Sequence, residues 1–128
     1  MSELKRILYV EDEPDIQAVA KIALEAVGNF ELLVCSSGEE ALTKVVEFSP
    51  DLLLLDVMMP GMDGPTTLNA LWQIPEIKSK PAIFMTAKVQ PDEVAGIKAI
   101  GALDVIAKPF DPMTLSEQIK TIWNDNSL

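Results

Sequence analysis

The chain has 128 residues, 48% of them hydrophobic, which favours a single domain spanning residues 1–128 with one compact core. Its formal net charge of -10 opposes close approach to nucleic-acid backbones or anionic membranes and favours basic partners or metal cations. With no histidine, one cysteine and no apolar run of about 18 residues, the sequence excludes histidine chemistry, an intramolecular disulfide and a membrane span, so we expect a cytoplasmic protein.

Five short apolar runs predict the strands. In chain order they are KRILYV (5–10), ELLVC (31–35), DLLLL (51–55), PAIFMT (81–86) and LDVIA (103–107). Short apolar runs bounded by turn signals fit strands that are covered on both faces, as in a parallel sheet. Periodicity alone does not separate such runs from buried helical segments, but their length and the Pro-Gly turn after the third run favour strands.

Helix signals follow each apolar run. Pro14 predicts a first helix that reaches Val27, because proline is favoured in the first turn of a helix. Ser37 and Glu40 have the spacing of a capping box and predict a second helix. The remaining helices are predicted from their first residues, which are Asp63, Pro91, and Asp111 with Pro112. The tail from about residue 124 is expected to fray.

Strand and helix patterns alternate five times, which predicts the fold class. We expect an α/β domain with a doubly wound, five-stranded parallel sheet, right-handed crossovers and helices on both faces. The common strand order for such a flavodoxin-like sheet is 2-1-3-4-5. Strands one and three would then be neighbours at the topological switch point, where open α/β sheets bind ligands.

Polar side chains stand where the predicted strands end. Glu11 and Asp12 follow the first strand, Asp56 and Thr86 stand at the ends of the third and fourth, and Lys108 follows the fifth. Carboxylates that converge repel one another, and a divalent cation such as Mg²⁺ keeps them ionised. We expect Thr86 and Lys108 to lie opposite the acids, so that an anionic group can bind between them and the metal.

Four motifs identify a family resemblance. VEDEPD, LLLLDVMMPGMDG, MTA and AKPF, in this order and at consistent spacings, resemble the response-regulator receiver domain of two-component signalling, of the chemotaxis-regulator type. The resemblance spans the whole chain. It implies a phosphoacceptor regulatory domain that catalyses only its own phosphorylation and dephosphorylation, with a histidine kinase or histidine phosphotransfer protein as donor. It further implies a downstream protein target on the face formed by helix 4, strand 5 and helix 5.

The resemblance also implies roles for individual residues. Asp56 would accept the phosphoryl group, and Mg²⁺ would be held by Asp12, Asp56 and the main-chain carbonyl of Met58, with Glu11 acting mainly through bound water. Thr86 would donate a hydrogen bond to one phosphoryl oxygen. Lys108 would pair with another, and the peptide bond between Lys108 and the following proline would be cis.

The sequence departs from the family pattern in one place that matters for signalling. Many receiver domains have an aromatic residue three positions before the lysine, whereas this chain has Val105. Coupling from Thr86 to the output face would then be weaker or depend on a loop shift. Met58 and Lys88, each two residues after a site residue, would border the phosphoryl group and tune dephosphorylation.

Several alternatives stay open at this point. Asp12 or Glu13 alone could simply cap the first helix, Thr86 could be an ordinary strand residue, and Lys108 a solvated charge. A haloacid-dehalogenase-type phosphohydrolase needs a second acid two residues after its nucleophile, where this chain has Met58. A flavodoxin-type electron carrier needs a first loop that binds phosphate, which the acidic EDEPD loop would repel. The runner-up is a receiver that acts as a phosphorelay or phosphate sink rather than as a switch.

Overall fold

The computed structural model describes residues 3–126, and its centre is one parallel sheet of five strands. The strands are β1 (Arg6–Val10), β2 (Glu31–Cys35), β3 (Leu52–Asp56), β4 (Ala82–Thr86) and β5 (Asp104–Ala107). They lie in the order β2-β1-β3-β4-β5, and every neighbouring pair is parallel. The predicted fold class and strand order are therefore confirmed, and each strand begins and ends within one residue of its predicted bounds.

Five helices follow the strands. They are α1 (Pro14–Lys21, continued by a π-helical segment over Ile22–Val27), α2 (Gly38–Phe48), α3 (Gly64–Trp72), α4 (Pro91–Ile100) and α5 (Leu115–Asp125). Among residues 3–126, none of these helices combines the length and apolar character needed to cross a bilayer.

The helices cover the sheet on both faces and so divide the core into two layers. One layer packs α1 and α5 against side chains such as Ile7 and Tyr9 of β1. The other packs α2 and α3 against the alternate residues, such as Leu8 and Val10. Every residue of β3 and β4 is buried, because these strands are central and covered on both sides. The polar groups at the ends of these strands are therefore held on a rigid frame.

Three predicted helix starts can be compared with the contacts that the structure shows. Asp63 caps α3 as predicted, because its carboxylate accepts a hydrogen bond from the Thr66 amide at 2.8 Å. The hydroxyl of Ser37 caps α2, but the carboxylate of Glu40 accepts from the amide of Ser36 rather than of Ser37, so the reciprocal half of the capping box is shifted by one residue.

The start of α5 differs more from its prediction. Asp111 caps a turn that leads directly into the helix. Its carboxylate accepts from the Met113 amide at 2.9 Å, and its carbonyl accepts from the amides of Thr114 at 3.1 Å and Leu115 at 3.0 Å. The helix itself begins at Leu115. It then continues to Asp125, so it includes the first two residues of the tail that was expected to fray, and residues 127–128 lie outside the described part of the chain.

Cys35 is a core residue, as its apolar context indicates. It ends β2 and is fully buried in the layer under α2. Burial and, to a smaller extent, the nearby Glu40 carboxylate raise the pKa of the thiol to about 11. The thiol is therefore protonated and shielded at neutral pH.

Candidate functional site

Three carboxylates meet at the carboxyl edge of the sheet, as the strand order predicts. Val10 pairs with Leu55 across β1 and β3, so the residues that follow them, Glu11 and Asp56, are neighbours. Glu11, Asp12 and Asp56 each place one carboxylate oxygen within 4.8 Å of the others, and they form the one cluster of potential metal ligands among residues 3–126. Glu11 is fully buried and Asp56 is 4% exposed, so their mutual repulsion is weakly screened.

Lys108 lies inside this cluster. Its ammonium nitrogen is 2.9 Å from Oε1 of Glu11 and 3.3 Å from Oδ2 of Asp56. The expectation that Lys108 lies opposite the acids is therefore wrong for this structure, because the four-carbon side chain is long enough to reach both carboxylates. The peptide bond that joins Lys108 to Pro109 is cis, as the resemblance implies.

The charges of the cluster shift the proton affinities of its members. Burial and then the Glu11 carboxylate raise the pKa of Asp56 to about 6, although Lys108 opposes this change. Burial tends to lower the pKa of Lys108, but its hydrogen bond to Glu11 and the attraction of both carboxylates outweigh burial, and the net result is a raised pKa. Lys108 thus stays charged, while Asp56 is ionised only above the mildly acidic range.

Asp12 brings to the cluster a carboxylate oxygen that lacks a donor within the described part of the chain. Its Oδ1 atom is buried and has no hydrogen-bond partner among the described residues. An unpaired buried carboxylate oxygen is costly and is stabilised by a metal ion or a donor. Oxygen-only ligands in this number suit Mg²⁺. Met58, whose carbonyl the resemblance adds to the set, lies in the loop two residues after Asp56 with its side chain 61% exposed.

Thr86 closes the same edge from β4 but is not bonded to the acids in this state. Its side chain is buried, and its hydroxyl accepts a hydrogen bond from the amide of Lys88 at 3.0 Å. Its carbonyl accepts from the amide of Lys108 at 2.9 Å. Within residues 3–126 no hydrogen bond joins the Thr86 hydroxyl to the carboxylate cluster. Because this hydroxyl accepts from the Lys88 amide through a lone pair, its own proton remains available to donate to a group on Asp56.

Two side chains that sequence reasoning missed, those of Tyr9 and Gln17, support the site. Tyr9 approaches Glu11 from the core, with its hydroxyl 3.4 Å from Oε1. The side-chain amide of Gln17, on α1, donates to the main-chain carbonyl of Glu11 and to the Ser36 hydroxyl. The spacing of Tyr9 and Glu11 in the sequence was a usable signal, because residues two apart along an extended chain point to the same face.

Gly64 fixes α3 against the strand that carries Asp56. A Cβ atom at this position would stand 2.3 Å from the main-chain carbonyl oxygen of Asp56, closer than any side chain tolerates. The amide of Gly64 also donates to the Val57 carbonyl at 3.0 Å. The DG pair that ends the second motif was the available signal, since a glycine directly after a helix cap often marks a close backbone approach.

An apolar groove lies beside the cluster. It encloses about 430 Å³ between the N-terminal half of α1 and the segment after β5, and it is lined by Asp15, Ile16, Val19, Ala87, Lys108, Pro109 and Phe110. Lys108 therefore borders both the carboxylate cluster and the groove. A molecule seated in the groove would lie next to the edge that carries Asp56.

The fold and this edge define an α/β domain with a carboxylate cluster and a lysine at the topological switch point of its sheet. The model of the response regulator receiver domain matches residues 7–120, so the chain belongs to that family. It is a receiver domain of two-component response regulators, a phosphoacceptor signalling domain.

Individual relatives agree with this assignment. The chain is 38% identical over 119 residues to the alkaline phosphatase synthesis transcriptional regulatory protein PhoP of Bacillus subtilis, covering 92% of this chain and 48% of PhoP. It is 37% identical to the phosphate regulon transcriptional regulatory protein PhoB of Rhizobium meliloti, covering 93% and 52% of the two chains. The chain thus spans about half the length of the curated relatives it matches.

Solved structures give the same result for the fold. The chemotaxis protein CheY4 of Vibrio cholerae superposes with a TM-score of 0.84 at 28% identity, over 94% of this chain and 99% of that one. A response regulator from Desulfuromonas acetoxidans gives a TM-score of 0.83 at 29% identity, over 96% of this chain and 99% of that one. The family that matches is the receiver domain rather than the phosphohydrolase or electron-carrier alternatives.

Proposed function

We propose that Asp56 accepts a phosphoryl group from a phosphohistidine on a partner kinase or phosphotransfer protein, in a reaction that depends on Mg²⁺. The observation that carries the proposal is the contact of Lys108 with Asp56 beside the unpaired Asp12 oxygen. This arrangement provides a carboxylate nucleophile, a cation next to it and an oxygen that needs a metal. Receiver domains interact with histidine kinases, and that family property supports the choice of donor.

The transfer forms one bond and breaks one bond. An oxygen of Asp56 attacks phosphorus, the bond between phosphorus and the donor nitrogen breaks, and its electron pair returns to the histidine ring. Lys108 Nζ, 3.3 Å from Oδ2 of Asp56, is near enough to pair with a phosphoryl oxygen and to neutralise charge that develops there. The Thr86 hydroxyl, which accepts from the Lys88 amide and keeps its own proton, would donate to another oxygen.

The metal fits the donors that the chain presents. Asp12, Asp56 and the Met58 carbonyl would hold Mg²⁺, and Glu11 would contribute through water. Bound there, Mg²⁺ supplies positive charge that reduces the repulsion between the carboxylate and the incoming phosphoryl group. It would also favour the ionised form of Asp56, whose pKa is raised to about 6 without it.

The phosphorylated domain would act as a switch through α4, β5 and α5. Helix α4 has no buried residue, and its last residue, Ile100, and Val89 just before it expose apolar surface, so this face can shift and bind a partner at little cost. Val105 on β5 is half-buried and cannot act as an aromatic switch. A phosphorelay or phosphate-sink role is the second candidate, favoured by that missing aromatic.

The remaining features of the proposal concern the setting of the domain. Residues 1–128 would form one receiver domain that acts in the cytoplasm and is not an enzyme toward other substrates. The charge of -10 supports a receiver that does not itself contact nucleic acid. The names of several relatives describe transcriptional or DNA-binding regulators, and that activity belongs to those longer proteins.

Intact-mass spectrometry tests the acceptor. With Mg²⁺ and acetyl phosphate or a phosphorylated kinase, the protein should gain one phosphoryl group of roughly 80 Da. Asp56→Asn should abolish the gain. Asp63→Asn is the matched control in the same motif, because asparagine can still cap α3, and it should be labelled normally. Full labelling of the Asp56 variant, or a modified peptide that maps to Asp63, would refute the assignment.

A further inference from the structure

Tyr9 is the only tyrosine of the chain, and it lies under the acidic cluster. Its ring is fully buried in the core layer between the sheet and helices α1 and α5. It stands two residues before Glu11, which directly follows β1, and this spacing along an extended chain places both side chains on the same side. A hydroxyl in such an apolar layer requires an acceptor, and the carboxylate of Glu11 is the partner that the structure shows.

The two carboxylate oxygens of Glu11 accept different numbers of hydrogen bonds. Oε2 accepts from the Glu13 amide at 3.3 Å. Oε1 accepts from Lys108 at 2.9 Å and from the Tyr9 hydroxyl at 3.4 Å. The bond to Tyr9 is long for an O–H donor, and the closer ammonium on the same oxygen accounts for its length. Tyr9 is thus a fixed donor that is only partly engaged while Lys108 stays on Glu11.

We propose that Tyr9 is a positioning residue, which holds the Glu11 carboxylate in place when Lys108 leaves it for the phosphoryl group on Asp56. The inference rests on the proposed function, because a phosphoryl group gives Lys108 the stronger partner. Once Lys108 moves, Oε1 of Glu11 keeps Tyr9 as its donor among the contacts described here. The buried ring cannot follow Lys108, so the hydrogen bond from Tyr9 should shorten toward the roughly 2.5–2.7 Å of a charge-assisted O–H···O⁻ bond.

A single tyrosine makes this change directly observable. In protein labelled with ¹³Cζ-tyrosine there is one signal, recorded for the free protein, with Mg²⁺, and with Mg²⁺ and the phosphoryl analogue beryllofluoride. We expect the signal to move toward the position of tyrosinate when beryllofluoride binds, because the hydroxyl then donates more strongly. Asp56→Asn should remove the beryllofluoride-dependent step.

A double-mutant cycle measures whether Tyr9 acts through Glu11. Tyr9→Phe should weaken beryllofluoride binding in the presence of Mg²⁺ by roughly threefold to tenfold, the loss expected for one supporting hydrogen bond. In a Glu11→Gln background the same substitution should have little further effect. Ser116→Ala is the matched control, because it removes another buried hydroxyl on this core face, which donates to the Ala23 carbonyl at 2.6 Å. It should lower stability and leave beryllofluoride affinity unchanged.

The outcomes separate the two proposals. If the wild-type protein gains no phosphoryl group and binds no beryllofluoride, the proposed function fails and this inference fails with it. If it binds beryllofluoride while the Tyr9 signal stays unmoved, Tyr9 has no positioning role and the proposed function stands. Equal effects of Tyr9→Phe with and without Glu11→Gln would likewise overturn the role, and the labelled wild-type protein decides the question even if a variant folds poorly.

Discussion

Asp56→Asn should stabilise the metal-free protein, although it removes an ion pair. The folded protein raises the pKa of Asp56 from 3.8 to about 6, so ionising this carboxylate costs more in the folded than in the unfolded state. At roughly 1.4 kcal/mol per pKa unit, the cost approaches about 3 kcal/mol above pH 7. Lys108 loses one contact in the variant but keeps Glu11 at 2.9 Å. We therefore expect a net gain of about 1–2 kcal/mol, or on the order of 5 °C in Tm.

The sign of the pH dependence gives the sharper test. Because folding raises the pKa of Asp56, the contribution of this residue to the stability of the wild-type protein is fully present below its unfolded pKa. That contribution is lost as the pH rises through about 6. The variant has no such loss, so urea unfolding in a chelator should show a large difference at about pH 7.5 and little at about pH 4. Glu76→Gln is the control, since it removes the same charge from an exposed position. A gain that is equal at both pH values, or a loss at neutral pH, would refute the electrostatic account of the site.

Four further predictions address the metal, the packing, the donor and the output. Calorimetry should detect heat of Mg²⁺ binding that disappears when Asp12→Ala and Asp56→Ala are combined; heat that survives would show that the cation binds elsewhere. Gly64→Ala should destabilise the protein by about 2 kcal/mol or more in thermal unfolding, because its Cβ would overlap the carbonyl of the phosphoacceptor strand; unchanged stability would mean that α3 can move away. Val19→Lys, in the apolar groove, should slow phosphorylation by a phosphohistidine partner but not by acetyl phosphate, which needs no docking surface; equal slowing of both would place the effect in the chemistry. Beryllofluoride with Mg²⁺ should shift amide NMR signals strongly at the carboxylate cluster and modestly along α4, and Val105→Tyr should enlarge the distal response; large shifts across α4 in the unchanged sequence would make the aromatic switch dispensable.

The sheet and the acidic edge could be predicted because both follow from local patterns. The leucine run that ends in Asp56 identifies a buried strand, and the fixed hand of parallel crossovers then brings Asp56 next to Glu11. The sequence also placed Lys108 at this edge, but it did not predict that Lys108 pairs with Glu11 and Asp56. The ammonium group of a flexible lysine pairs with whichever carboxylates lie within about 3 Å of it. Those positions are set by the folded structure and cannot be read from the sequence.

The π-helical segment shows a second limit of sequence reasoning. The helical pattern predicts one helix as far as Val27, and the structure widens it from Ile22 onward. The carbonyl of Ala23 accepts from the Gly28 amide at 3.1 Å and from the hydroxyl of Ser116 at 2.6 Å. Ser116 lies 93 positions further along the chain. A tertiary hydrogen bond of this kind leaves no local signal from which the altered winding could be read.

The burial of Cys35 makes the chain convenient for spectroscopic labelling. Its thiol is inaccessible and its pKa is raised to about 11, so maleimide dyes and spin labels should leave it unmodified under native conditions. A cysteine introduced at an exposed position of α4 could then be tagged alone, without first replacing the native residue. Distances from such a tag to a second one on α1 would report movement of the output face in the otherwise unaltered core.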